Sequence, residues 1–493
     1  MAKGSRALTP VIAVDRGSSQ PLHSQVYRSL RNAIATGVLR PGQRVPSSRS
    51  LSSELDVSRI TILEAYAQLL AEGYFKSRKG AGTFVSSSLP EYLAQRGNAG
   101  AGRSPRVSGP RHIARRALQF PAQSAPPWRA GLGAFAVHQP AFEEFPYSIW
   151  SRLVTHHSRD PNARAIHCID PLGSRRFREA ICEYLRTARA VVCEPEQVMI
   201  VSGSQQALQI AATVLLDPGD AVWMEEPGYL LARNVFSAAG CRLIPVPVDE
   251  EGLNVEAGIA QSPQARVAYV TPSHQYPLGT TMSAARRLQL LNWAQRYGTW
   301  IIEDDYDSEY RFESAPISSL QGLDSNGRVI YIGTFSKVLF ASLRLGYMVI
   351  PPDLVERFVA VRYGMDIFPP YLFQEVITDF MREGHFARHI RRMRQLYSQR
   401  RQALVEELKA GFGSALEIRG AEAGMHLTAA FRTERDDVAI AEKAAEHALW
   451  LWPLSASYLT RKVRKGFVLG YGNVAAEAIP SAVEKLRAAI SSV

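Results

Sequence analysis

VIYIGTFSKVLFASLRLGY, residues 329–347, decides the fold. The β-branched run at 329–332 predicts a buried strand, and Gly333 is read as the residue that breaks it. Thr334, Ser336, Lys337 and Arg344 then gather two hydroxyls, an amine and a guanidinium at the strand's mouth. An amine able to form a Schiff base, beside groups able to hold a phosphate, suits an aldehyde cofactor that carries a phosphate. Working outward, apolar strands are expected at 198–201, 221–224, 266–270 and 299–302, with helices at 177–185, 205–216 and 285–296. The alternation predicts an α/β body with a mostly parallel sheet and ligands at its carboxyl edge. From residue 397 onward, helices and shorter strands predict a smaller C-terminal α+β domain.

GTFSK…LRLGY resembles the cofactor-lysine segment of fold-type-I pyridoxal 5'-phosphate (PLP) enzymes, the aspartate aminotransferase superfamily. IEDDYDSEY at 302–310 and TPSHQYPLG at 271–279 resemble one branch of it, the MocR/GabR subfamily of GntR regulators. That branch joins a winged helix-turn-helix DNA-binding head to an aminotransferase-like body. The resemblance runs over about residues 20–86 and 141–490.

The resemblance implies a cofactor site, residue by residue. Ser204 and Gln205 open a helix after Gly203 and belong to the phosphate cup, with Thr334, Ser336 and Arg344. Tyr229 stacks on the pyridine ring. Asp304 pairs with the ring nitrogen and keeps it protonated, although adjacent Asp305 leaves the register open. Tyr306 reaches the cofactor's phenolic oxygen, and Lys337 is the covalent and catalytic residue. The chain also departs from the aminotransferase pattern. Tyr276 stands before Pro277 where an asparagine is common, with His274 and Gln275 as the nearest polar candidates, and Leu278 replaces a frequent threonine. Cys168 stands where a tyrosine often touches the partner's cofactor phosphate. The strand at 466–472 lacks the arginine that clamps a substrate carboxylate, leaving Arg461 and Arg464 as possible substitutes.

Charge points to the other end of the chain. Residues 1–141 hold 19 basic and 6 acidic residues, whereas the whole protein carries only +11, so the remainder is close to neutral. A basic head on a neutral body suggests nucleic acid as a partner. Leu22, Val26, Leu30 and Ile34 recur at helical spacing. A short helix at 47–55, capped by Ser47, a turn at Asp56-Val57 and a second helix at 59–71, capped by Ser58, make a helix-turn-helix. A hairpin at 74–85 follows. In the GntR resemblance, Ser58, Arg59 and Thr61 enter the major groove, and Arg44, Ser48 and Arg49 meet phosphates. Arg78, Lys79 and Gly80 set the wing along a minor groove or the backbone. Ile60, Leu63, Tyr66, Leu69 and Leu70 are expected in the core.

Residues 87–140 are rich in Ser, Pro, Gly, Ala and Arg and read as a basic flexible linker. The expected organisation is a winged helix at 20–86, this linker, and a PLP-binding body at 141–493. Four scattered cysteines suggest reduced thiols and no metal site. With no apolar run long enough for a membrane span and no apolar signal core, a cytoplasmic protein is expected. The reading is a PLP-dependent transcriptional regulator: a homodimer with heads crossing to the other subunit, bound to a double-stranded operator. PLP or an amino compound would be its effector, PLP itself being preferred, in control of vitamin B6 or amino-acid metabolism. An active aminotransferase with a regulatory head, or a regulator whose body has lost PLP, are the alternatives.

Overall fold

The computed structural model describes residues 12, 14–78, 80–87, 112–120, 133–159, 170–312, 317–460 and 464–493. The chain divides into two compact units, residues 1–112 and 113–493.

In the first unit, α1 (Leu22–Ala35), α2 (Ser48–Glu54) and α3 (Arg59–Ala71) precede the hairpin β1 (Phe75–Arg78) and β2 (Gly82–Val85). Val26, Leu30 and Ile34 of α1 pack with Leu51, Phe75 and Val85. Caps set the two short helices: Ser47 Oγ accepts from Ser50 N, and Ser58 Oγ from Thr61 N. The face that α3 buries differs from expectation. Ile62, Ala65, Tyr66 and Leu69 are inside, whereas Ile60, Leu63 and Leu70 are 67%, 46% and 37% exposed. Positions 62, 65, 66 and 69 make one helical stripe, and residues 60, 63 and 70 fall outside it.

The second unit is built on an eight-stranded sheet: β3 (Val198–Val201), β4 (Ala221–Glu226), β5 (Arg242–Asp249), β6 (Gly252–Leu253), β7 (Val267–Val270), β8 (Trp300–Asp305), β9 (Val329–Thr334) and β10 (Gly346–Val349). Its order is β3-β10-β9-β8-β7-β4-β5-β6. The five strands from β9 to β5 run parallel, and β10 lies antiparallel between β3 and β9. The residues of β3, β7 and β9 are buried as continuous runs, as a sheet covered on both faces requires. Gly333 does not end β9, which continues to Thr334. Its role is steric: a Cβ there would lie 2.3 Å from Tyr347 Cζ on β10.

A second, antiparallel sheet of β11 (Leu416–Arg419), β12 (His426–Phe431), β13 (Trp452–Pro453) and β14 (Gly466–Gly470) has the order β11-β12-β14-β13. Residue 397, read as a domain start, lies inside the 28-residue helix His385–Phe412. The linker also ends earlier than 140. Ala134 pairs with Leu449, Phe135 is fully buried, and Gly470 N donates to Phe135 O. Residues 133–140 are therefore part of the body. Residues 112–120, also assigned to the linker, include a short 3-10 helix, Arg115–Gln119, which packs on the helix Leu230–Ala238. Among the described residues no helix is long and apolar enough to cross a membrane.

Candidate functional site

The carboxyl ends of β3, β4, β7, β8 and β9 open on a cavity of about 440 Å³. Ser204, Gln205, Tyr229, Asp304, Tyr306, Thr334, Ser336, Lys337 and Arg344, from four separate segments at strand ends, all line it. No short-range sequence relation joins one segment to the next; parallel connectivity brings successive strand ends to one edge.

β8 sorts three adjacent acids. Successive strand residues alternate between faces. Asp304 faces the cavity and accepts the Tyr269 hydroxyl on Oδ2 at 2.7 Å. Asp305 points the other way, to Arg189 Nε at 2.7 Å and the hydroxyls of Tyr331 and Ser308. Glu303 accepts the backbone N–H groups of Leu320 and Gln321. Of the two acids between which the sequence leaves the register open, Asp304 lines the cavity and Asp305 does not.

Burial pushes the Asp304 carboxyl up to about 6; the Tyr269 hydrogen bond and Lys337 oppose the shift, and Asp305 adds to it. Burial brings the Lys337 amine down to about 8, with Asp307 and Asp304 opposing and Arg344 assisting. A lysine near 8 is partly neutral at physiological pH, as a nucleophilic amine must be.

At one end of the cavity Gly203 leads into the helix Ser204–Leu215. Gly203 has φ +89°, and a Cβ there would lie 3.2 Å from an Arg344 nitrogen. The positive φ favours glycine here, and a Cβ would press on the Arg344 guanidinium. Arg344 Nη2 donates to Ser202 O at 2.7 Å, which ties the guanidinium to that loop. A 12-residue helix offers free N–H groups and a positive dipole end to an anion.

The residues present fit a phosphopyridoxyl group. Among the described residues, buried Asp304 Oδ1 and Ser336 Oγ find no hydrogen-bond partner. A protonated ring nitrogen would answer the first and a phosphate oxygen the second. Tyr229 supplies a ring wall, set edge-on to Tyr276 at 5.6 Å.

Other expectations are redistributed. Tyr306 lines the cavity, but its hydroxyl donates to His274 O at 2.7 Å. His274 pairs with Asp307 at 3.1 Å, and Gln275 Nε2 donates to Pro227 O, so neither lines the cavity; Tyr276 does. Arg464 lies 3.8 Å from Glu417 and is not in the cavity wall. Cys168, Arg461 and Lys79 lie outside the described residues. Sequence reasoning missed His138, Gln139, Tyr269, Trp450 and Trp452, all in the wall. The first two were hidden in the assigned linker, and the tryptophans lie far along the chain with no motif around them. Burial, with Lys337, His426 and His274 nearby, holds His138 well below the usual imidazole range, so it is neutral.

In the head, Arg59 Nε lies 3.4 Å from Ser48 Oγ, and Arg44 bridges to Phe84 of the wing. Thr61 Oγ1 is engaged by Ser58 Oγ at 2.8 Å. The Arg78 guanidinium sits over the Phe84 ring, and Gly80 makes the tip turn at φ +77°. Arg44, Arg49 and Arg59 are exposed, and Ser48 is partly so.

Comparison with known proteins agrees with both halves. Residues 22–85 match the bacterial regulatory proteins of the gntR family, and residues 161–467 match aminotransferase class I and II. The molecule is a DNA-binding head joined to a body of the aminotransferase fold. It belongs to the MocR/GabR subfamily of GntR transcriptional regulators. It is 39% identical to the probable rhizopine catabolism regulatory protein MocR of Rhizobium meliloti, over 97% of this chain and 96% of that one. It is 28% identical to the pyridoxine biosynthesis transcriptional regulator PdxR of Corynebacterium glutamicum, over 94% of each chain. The Pyrococcus horikoshii kynurenine aminotransferase, solved with PMP, aligns with TM-score 0.71 at 27% identity, over 77% of this chain and 97% of that one.

Proposed function

We propose that this regulator binds PLP on Lys337 and that the occupied body controls operator binding by the head. The observation that carries the reading is the set of nine cavity-lining residues, with Asp304 Oδ1 and Ser336 Oγ awaiting partners. When bound, PLP supplies an aldehyde carbon and an electron-withdrawing ring. The chain's own groups do the rest. Lys337 offers a partly neutral amine. Asp304, held by Tyr269, receives a ring N–H. Arg344, Ser204, Gln205, Thr334 and Ser336 grip phosphate oxygens, and Tyr229 excludes water from one face. Arg44, Ser48, Arg49, Ser58, Arg59, Thr61, Arg78, Lys79 and Gly80 form the DNA-facing surface, in a homodimer whose heads cross between subunits.

PLP itself is the principal effector in this reading, acting on vitamin B6 or amino-acid metabolism genes. Among the described residues in the cavity wall, Arg344 is the only guanidinium, and it serves the phosphate end. An amino-acid carboxylate therefore meets no bidentate clamp, which disfavours turnover. A second reading, an amine as effector, is favoured by walls that no cofactor role takes up: Val137, His138, Gln139, Trp450 and Trp452. The similarity to a regulator of pyridoxine biosynthesis supports the first reading, and that to a regulator of rhizopine catabolism the second. The test is DNA footprinting by apo-protein, PLP-bound protein, and PLP-bound protein with a panel of amines and amino acids. A footprint that changes with PLP alone supports the PLP sensor. One that changes only when an amine is added replaces it with the second reading.

A further inference from the structure

Helix α3 carries its groove-facing chemistry in an unusual form. After Arg59 it has no lysine or arginine to its end at Ala71. Its polar side chains are occupied within the head. Arg59 reaches back to Ser48 at 3.4 Å, and Thr61 shares a 2.8 Å hydrogen bond with Ser58. Glu64 lies 3.5 Å from His23, and Gln68 Nε2 donates to Glu72 at 3.0 Å. Two large side chains remain free on the first two turns, Ile60 and Leu63, one helical turn apart and both exposed.

A scattered exposed aliphatic needs no explanation. These two are adjacent, sit on the helix that follows the helix-turn-helix turn, and belong to the part of the chain whose net charge is strongly positive. Exposed Arg44, Arg49 and Arg59 come from the same head. A cationic surface that surrounds an apolar tip complements the major groove at one kind of base pair. Only thymine presents a methyl group there.

We infer that Ile60 and Leu63 read operator sequence through the C5-methyl groups of thymine. The arginines then supply sequence-independent phosphate affinity, and discrimination at the bases under α3 comes from apolar contact. This rests on the DNA-binding reading above.

The test uses the full-length protein and the site it selects from a random duplex pool. Thymines in the protected half-site are replaced singly by deoxyuridine, which removes only the methyl group. For the wild type, each contacted methyl should contribute about fourfold in affinity, the worth of one buried methyl-sized group. In Ile60→Ala, or in Leu63→Ala, the penalty at one or more of these thymines should fall towards onefold, while the salt dependence stays unchanged. Both side chains are exposed, so neither variant disturbs the head's core. Circular dichroism and retained binding to unmodified random DNA check that each variant is folded. A wild-type protein indifferent to every deoxyuridine, or variants that keep the full penalty, overturns the inference and leaves DNA binding standing. A wild-type protein that retains no duplex from the pool overturns both.

Discussion

Tyr269 donates its hydroxyl to Asp304 Oδ2 at 2.7 Å, and the other carboxylate oxygen, Oδ1, is buried with no hydrogen-bond partner among the described residues. One strand position further, Asp305 is locked to Arg189 at 2.7 Å, with both side chains almost wholly buried. Two adjacent acids thus have opposite duties, and their isosteric replacements should fail in opposite ways. Asp304→Asn should keep the fold and weaken PLP binding at least tenfold, since a charge-assisted hydrogen bond contributes about 1.5–3 kcal/mol. Asp305→Asn should cost about 3–5 kcal/mol of stability by leaving Arg189 without its counter-charge. Titration of PLP absorbance and denaturant unfolding of both variants separate the two effects.

Lys337 has its pKa brought down to about 8 by burial, which leaves an amine suited to covalent attachment. The purified protein should be yellow and carry a borohydride-reducible bond to PLP. Lys337→Ala should remove that bond and leave the circular dichroism spectrum unchanged. A reducible bond that survives in this variant places the cofactor on another residue.

Gly333 lies in the middle of the β9–β10 pairing, opposite Tyr347. An added methyl would meet the Tyr347 ring at 2.3 Å, too close for any side-chain relaxation short of displacing a buried ring. Gly333→Ala should destabilise the body by about 1–3 kcal/mol through overpacking, and the neighbouring lysine loop should lose PLP affinity with it. Thermal unfolding with and without PLP measures both. If Tyr347→Phe, which removes the hydroxyl but keeps the ring, restores none of the loss, the ring itself is the obstacle.

Arg59 tests the head. It lies against Ser48 at 3.4 Å, close to the start of α2, which suits a phosphate contact more than a base contact. Arg59→Ala should therefore weaken binding to selected and random DNA alike and lower the slope of log K against log salt by about 1. Loss confined to the selected site assigns Arg59 to base reading instead.

Much of this architecture is legible because it is written locally. Continuous apolar runs place the strands, caps at Ser47 and Ser58 place the short helices, and TFSK…R with EDDYD places the cofactor residues on strand ends. What escapes is what depends on packing between distant segments. Ile60 and Leu63 look like core residues until the helix phase, set by Tyr66 reaching Pro46 O, turns them outward. Residues 133–140 have linker composition, yet Ala134 and Phe135 are bound by the far C-terminal region. Tyr269 is an ordinary strand tyrosine until β7 and β8 lie side by side and bring it to Asp304.

The same juxtaposition sets the response to pH. Burial raises Asp304 to about 6 and Glu225 and Glu303 to about 7. In the unfolded chain these acids titrate near 4. Between those values the folded protein holds more protons than the unfolded one, so the sign is fixed: their contribution to stability is complete below about pH 4 and is lost as pH rises towards 7. For Asp304 alone the loss approaches about 3 kcal/mol at most. The stability difference between apo wild type and Asp304→Asn should therefore change by up to that amount between pH 4 and 7.5, in favour of the variant at the higher pH. PLP should reverse the trend in the wild type, because a ring N–H at Oδ1 favours the ionised carboxylate. Denaturant unfolding across this pH range, with and without PLP, measures the change. A wild type and a variant that run parallel at every pH in the apo form would show that Asp304 ionises freely and that its carboxylate is not waiting for a partner.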